Sequence, residues 1–329
     1  GVSFTNTIAA DRHGTAYYAD ISVTPNVDKA LFEQCRVSVD GVPNRLVVLD
    51  GSKKDCEWKT DSRSKVDNAL PAEEMPRIRR HDYVSNSNDS YWLSNPAAPL
   101  EGYSPIIGNE RAARTLRTRA GLTLIDSLLK QGKVQPADVQ NLVYAHRNFG
   151  AELLLDDVLT LCKSNTATTD IQPSCDALAG WDRKQISTST GAQVWTEFWR
   201  TAQKIPMVYS VPFDANDPVN TPRGIAIDKP EVASALRESL LTAQQVLEEA
   251  GIALDSPWGS IQYAERNGEK ISIPGGEGWG GMFSMIRANL QKDKGYTPII
   301  HGNSYIQVIS WDKAGKLDAR GILTYSQSQ

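Results

Sequence analysis

The sequence predicts an α+β fold, and three observations carry that prediction. Strand-like apolar runs open the chain, the apolar spacing changes to every fourth residue near Glu110, and short strand-like runs return after Gly251. Strands, helices and strands therefore follow one another in blocks, without strand–helix–strand alternation. That order predicts an α+β arrangement whose sheet is closed by sequence-distant strands. It divides the chain into a strand-rich stretch at 1–106, a mainly helical stretch at 107–250 and closing strands at 251–329.

In the first stretch, TNTIAAD and TAYYADISV flank RHG, which predicts a tight hairpin with Gly14 at its turn. RLVVLDG is a further apolar run ending in Gly51. Residues 59–82 are charged and poor in apolar side chains, and they read as a surface excursion containing the solvated basic patch Arg77–Arg80.

From Glu110 onward, Ala112, Leu116, Ala120, Leu124 and Leu128 form one helical stripe. Pro136 opens a second helix at the first-turn position, where its missing N–H leaves no bond unmade, and Val139, Leu142, Val143 and Phe149 line its face. GAQVWTEFWRTAQKI is a third helix with Trp195 and Trp199 at i, i+4. PEVASALRESLLTAQQVLEEAG is the clearest of all, with Pro at its start and Gly251 past its end. The closing stretch holds KISIPGG, a glycine-rich link, and then SYIQVISWD and ARGILTYSQ joined by KAGKL as a hairpin.

The net charge of −4 over 329 residues gives no reason to expect a nucleic-acid partner. No apolar run approaches the ~18 residues of a membrane span, and the N-terminus lacks a signal pattern, so no membrane association is expected. The chain begins GVSFTNTIAAD without an initiator Met, as a processed or partial chain does. Cys35, Cys56, Cys162 and Cys175 have no CxxC spacing, which argues against zinc. Their polar, loop-like surroundings favour disulfides over buried free thiols, and disulfides imply an oxidising compartment. Cys162 and Cys175 enclose a Pro-containing loop between helical segments and are expected to pair. Cys35 with Cys56 is a second pairing that the sequence leaves open.

Motifs exclude several chemistries. GxSxG, HEXXH and Walker patterns are absent, and DANDPVN lacks the Gly and Glu of a calcium loop. His13 and His146 read as structural or exposed, and GGEGWGG as a loop. What remains is YVSNSNDSYWLSN at 83–95, where Asn86, Asn88 and Asn95 stand among Tyr83, Tyr91 and Trp92. A buried amide must find partners for two donors and an acceptor, so this spacing reads either as a decorated turn or as amide donors aimed at a substrate.

Three stretches in this order, NTIAADRHGTAYYADISVTPN, YVSNSNDSYWLSNP and GNERAARTLR, resemble the large chain of the penicillin-acylase family, nearest to acylases of acyl-homoserine lactones and aculeacin. HGNSYIQVISWD and GILTYSQSQ fit the late strands of that family, so the resemblance spans essentially the whole chain. It implies part of a four-layer αββα N-terminal nucleophile hydrolase fold. In such enzymes a precursor cuts itself, and the new N-terminal serine of the large chain attacks an amide with its own α-amino group as base. A backbone N–H and an asparagine side chain hold the oxyanion. Matched residue by residue, the asparagine is Asn88 of Asn86-Ser87-Asn88, and the arginine that orients it is Arg111 of GNERAAR. Phe4 stands where relatives place an aromatic against the acyl chain, and Asn303 where some place a polar residue near the site.

Gly1 departs from the pattern, because it is not the serine nucleophile. The resemblance therefore implies an internal piece of the large chain, partnered by a small chain and the N-terminal part of the large one. Alone, such a piece is expected to hydrolyse no amide. Several members bind calcium near the position of Leu100–Glu101, but Glu101 is no basis for a metal site, and neither metal nor cofactor is expected. The implied activity is removal of an acyl group from a small-molecule N-acyl-homoserine lactone, lipopeptide or β-lactam, in the periplasm or outside a bacterial cell. The alternative is an inactive binding or structural fragment of such an acylase.

Overall fold

The computed structural model describes residues 6–42, 46–164 and 169–323, so Phe4 lies outside the described residues. The chain forms two compact units, Gly1–Ala112 and Ala113–Gln329.

The first unit opens with strands β1 (Thr7–Ala10) and β2 (Ala16–Ala19), followed by helix α1 (Lys29–Cys35) and strand β3 (Arg77–Arg80). The β1–β2 hairpin forms as expected, with Ile8 opposite Tyr18. Its turn is held by the Asp11 carboxylate, which accepts from the N–H groups of His13 and Thr15 at 2.8 and 2.9 Å. Gly14 supplies the φ of +85° that this turn needs. β2 is the central strand and buries Tyr18.

Two expectations fail in this unit. The stretch 59–82 is no mere excursion, since it buries Leu70 and Met75 and contributes β3, which pairs antiparallel with β2. Charged residues conceal that strand because Arg77 and Arg79 face solvent while Ile78 lies opposite Tyr18. Conversely, the apolar run 45–51 forms no strand over its described residues. Leu46 is 56% exposed, and the run touches its neighbours through an isolated bridge from Leu49 to Arg36 and a bond from Val37 N–H to the Val48 carbonyl.

The second unit begins with α2 (Leu116–Lys130), α3 (Pro136–Tyr144), α4 (Phe149–Cys162), α5 (Gln172–Ala179) and α6 (Ala192–Ala202). Strands β4 (Tyr209–Val211) and β5 (Arg223–Ile225) precede α7 (Pro230–Glu249) and the one-turn α8 (Trp258–Ile261). Strands β6 (Tyr263–Arg266), β7 (Glu269–Ser272), β8 (Ile286–Gln291), β9 (Gly295–Gly302), β10 (Tyr305–Trp311) and β11 (Leu317–Leu323) complete it. The first helix starts later than its stripe implies, because the Thr115 hydroxyl accepts from Thr118 N–H and caps it there. Phe149 does not extend the helix begun at Pro136. His146 turns the chain at φ +44°, and the Asn148 side chain then caps a new helix by accepting from Ala151 N–H at 3.0 Å.

The core of this unit lies among α4, α5, α6 and α7, where Leu154, Leu155, Trp195, Phe198, Trp199, Leu236 and Leu240 are buried. The expected disulfide Cys162–Cys175 is present and joins α4 to α5, and the pairing left open, Cys35–Cys56, also forms, in the small cluster of Val27 and Leu31. The mixed, antiparallel content fits an α+β class. Among the described residues every sheet of the second unit is a two-stranded pair of sequence neighbours, whereas in the first unit β3 joins β2 from far along the chain. β10 and β11 pair over seven positions and leave Tyr305, Ile309, Leu317 and Ile322 exposed.

Candidate active site

The asparagine-rich stretch follows β3 as a loop, not as a strand edge. Its three asparagines have separate tasks. Asn95 is fully buried; its amide donates to the Tyr83 carbonyl at 2.8 Å and to Asp82 at 3.1 Å, and its oxygen accepts from Ala97 N–H at 2.9 Å. Each of those bonds closes the loop on itself. Asn86 holds the turn: its Oδ1 accepts from Asn88 N–H at 2.8 Å and its amide donates to the Asp89 carbonyl at 3.2 Å. Asn88 itself is exposed at the tip, with φ +56°.

The chain then enters a short 3-10 helix, Tyr91–Leu93, in which all three side chains are buried. Two carboxylates meet the polar ends of the aromatics. Tyr91 Oη donates to Glu110 Oε1 at 2.7 Å, and Trp92 Nε1 donates to Glu101 Oε1 at 2.8 Å. Burial, followed by the bond to Glu110, raises the Tyr91 pKa, so its hydroxyl stays a neutral donor. Tyr18 is raised the same way, by burial and then by Asp20, and it donates to the Asn6 side chain. Asp82, which anchors Asn95, is held well below the usual carboxylate range by the Arg80 guanidinium, whose Nε and Nη2 lie at 2.9 and 2.6 Å.

Arg111 lies at φ +49°, and its Nη1 reaches Glu101 Oε1 at 3.3 Å. A non-glycine residue in this region is strained by roughly 1–2 kcal/mol. Eight such residues occur among those described, and Asn88 and Arg111 are two of them. Glu101 Oε1 accepts from both Trp92 Nε1 and Arg111 Nη1. Among the described residues no group of three His, Cys, Asp or Glu is arranged to hold a metal. Asn303 is exposed in the link between β9 and β10, in the second unit.

The first unit thus gathers Asn86, Asn88, Tyr91, Trp92, Glu101, Glu110 and Arg111 into one loop assembly. Sequence reasoning missed Glu110 and the supporting role of Asn86. The only signal for Glu110 was a carboxylate beside the arginine already singled out.

This chain belongs to the penicillin amidase family, which it matches over residues 1–329. Among its relatives is the acyl-homoserine lactone acylase PvdQ of Pseudomonas syringae pv. syringae, 35% identical over all of this chain and 42% of that protein. PvdQ of Pseudomonas fluorescens Pf-5 is 36% identical with the same coverage, and the aculeacin-A acylase of Actinoplanes utahensis is 35% identical over 98% of this chain and 42% of its own length. The chain therefore spans about two fifths of the length of the curated relatives it matches.

Proposed function

We propose that this chain is the part of an amide-hydrolysing acylase that supplies Asn88 as the oxyanion donor. The observation that carries this reading is the turn in which Asn86 fixes the Asn88 backbone while Asn88 stays exposed at the tip. In amide hydrolysis the carbonyl oxygen gains negative charge at the tetrahedral transition state, and a donor fixed beforehand stabilises that state more than the ground state. An asparagine amide suits the task because its N–H is neutral and does not titrate. Arg111 orients it, its guanidinium offering donors in a fixed fork. The serine nucleophile and its α-amino base come from a segment outside this chain, on the N-terminal nucleophile pattern. Phe4 and Asn303 are carried over from the family pattern as substrate-binding positions, Phe4 as the aromatic that faces the acyl chain.

The partners are the rest of the same precursor. The exposed apolar hairpin β10–β11 supports such packing, because isolated proteins seldom leave a paired strand this apolar in water. The substrate is an N-acyl-homoserine lactone, a lipopeptide or a β-lactam. The two disulfides support a periplasmic or secreted protein.

The test uses the complete mature enzyme with an N-acyl-homoserine lactone. Asn88→Ala is expected to lower kcat by roughly 100- to 1000-fold with little change in KM, and Asn88→Asp at least as much, because a carboxylate repels the oxyanion. Asn86→Ala is expected to show a smaller loss, since it frees the Asn88 backbone without removing the donor. A folded, self-cleaved Asn88→Ala enzyme that keeps more than about a third of wild-type kcat refutes the assignment.

A further inference from the structure

Three donors converge on the Glu110 carboxylate. Tyr91 Oη and Tyr103 N–H donate to Oε1 at 2.7 and 3.0 Å, and Gly102 N–H donates to Oε2 at 2.9 Å. Tyr91 is wholly buried and meets the Tyr103 ring edge-on, with centroids 5.3 Å apart. Gly108 lies against the same place: a Cβ there would stand 3.0 Å from Ser90 Oγ and 3.3 Å from Tyr91 Cε1. Glu101 adds another tie, accepting from both Trp92 and Arg111. The segments 88–92 and 108–111 are therefore docked through direct contacts, and Glu110 is their central acceptor. Tyr91 follows Asn88 by three residues, and Glu110 immediately precedes Arg111.

We infer that Tyr91 and Glu110 are positioning residues of the oxyanion site, their mutual hydrogen bond setting the spacing between the Asn88 turn and Arg111. This rests on the assignment of Asn88 and Arg111 made above. Neither residue touches the reacting atoms. Each acts by holding a donor at the place where charge develops, so its loss should be felt in the transition state more than in substrate binding. The carboxylate has a further duty that an apolar side chain could not fill, because it satisfies the two loop N–H groups of Gly102 and Tyr103 while receiving the tyrosine.

The experiment is a double-mutant cycle in the complete mature enzyme. Tyr91→Phe keeps the ring and its packing and removes only the hydroxyl. It is expected to lower kcat about tenfold, with KM within about twofold and an unchanged pH profile. In the Asn88→Ala background it is expected to cause no further loss, because the donor it positions is gone. Should Tyr91→Phe not accumulate folded, Glu110→Gln is read the same way. It leaves one acceptor oxygen for Tyr91 but sets an amide against the loop donors, and a smaller kcat loss is expected, again absent in the Asn88→Ala background. An unaltered kcat in both Tyr91→Phe and Glu110→Gln, with Asn88→Ala still damaging, overturns the positioning role alone. A loss of equal size with and without Asn88 also overturns it, since the residues would then act elsewhere. If Asn88→Ala is itself harmless, the oxyanion assignment fails first and this inference falls with it.

Discussion

In the second unit α4, α5, α6 and α7 surround a continuous core in which Leu154, Trp195, Trp199, Leu236 and Leu240 are all buried. The first unit has instead two small clusters, one of Val27, Leu31 and the Cys35–Cys56 pair, the other of Tyr18, Tyr91 and Leu100. Between them run loops whose shape is set by side chains bonded to backbone, as Asn86, Asn95 and Glu110 show. The difference teaches how a site can be built. Burial is non-directional and fixes elements only as bodies, whereas hydrogen bonds to N–H and carbonyl groups fix individual atoms. A donor that must meet an oxyanion needs the second kind of support.

The largest effect should come from breaking the core. Trp199 is fully buried, and Trp199→Ala is expected to destabilise the second unit by about 3–5 kcal/mol. Chemical denaturation that shows a loss below about 1 kcal/mol would mean that the core repacks far more readily than its burial implies.

Next come the disulfides. In the chain-entropy account, bridges of these loop lengths each contribute about 3 kcal/mol. The surroundings differ, however: Cys162–Cys175 adjoins Leu161, Ile171 and Leu178, while Cys35–Cys56 adjoins only a few apolar neighbours. Replacing Cys35 and Cys56 by alanine should therefore release amide-exchange protection through α1, while the matching change at Cys162 and Cys175 should leave α6 and α7 protected. Equal protection in both variants would remove the contrast.

The smallest effect is a difference of sign with pH. Asp82 has a folded-state pKa depressed by Arg80, so its contribution is present above the ordinary aspartate value and is lost as pH falls through the depressed one. Glu277 in the second unit is raised by burial, against the pull of Arg200 and Arg287, so its contribution is present at low pH and is lost as pH rises through the raised value. Melting curves should show Asp82→Asn flattening the acid-side fall in stability, from about pH 4 downward. Glu277→Gln should raise the melting temperature only above about pH 5. The reverse pattern would show that the two carboxylates have been assigned the wrong environments.

The two regions also differed in how far the sequence reveals them. Periodicity announced α6 and α7, because a buried stripe repeats every turn and Pro230 and Gly251 mark the ends of α7. It misjudged Phe149, because apolar spacing continues across a chain reversal that His146 and Asn148 impose locally. β3 was hidden since only Ile78 of its four residues is apolar, and the run at 46–49 misled because Leu46 and Val47 are left exposed and the run pairs only through an isolated bridge. In the loop assembly the asparagine spacing was visible. The bond from Tyr91 to Glu110 was not, for it joins residues 19 apart with no repeating pattern between them.

The paired indoles of α6 have an optical consequence. Trp195 and Trp199 stack with centroids 5.7 Å apart and planes 7° from parallel. Indoles this close couple electronically, and because Trp181 lies 6.1 Å from Trp195 with its plane inclined by 36°, the coupled set is twisted and should give an exciton contribution to the ultraviolet circular dichroism. That coupling falls with the inverse cube of the separation, so the signal weakens as the rings part, before α6 itself unwinds. A spectropolarimeter could thus follow the loosening of one unit's interior without a label.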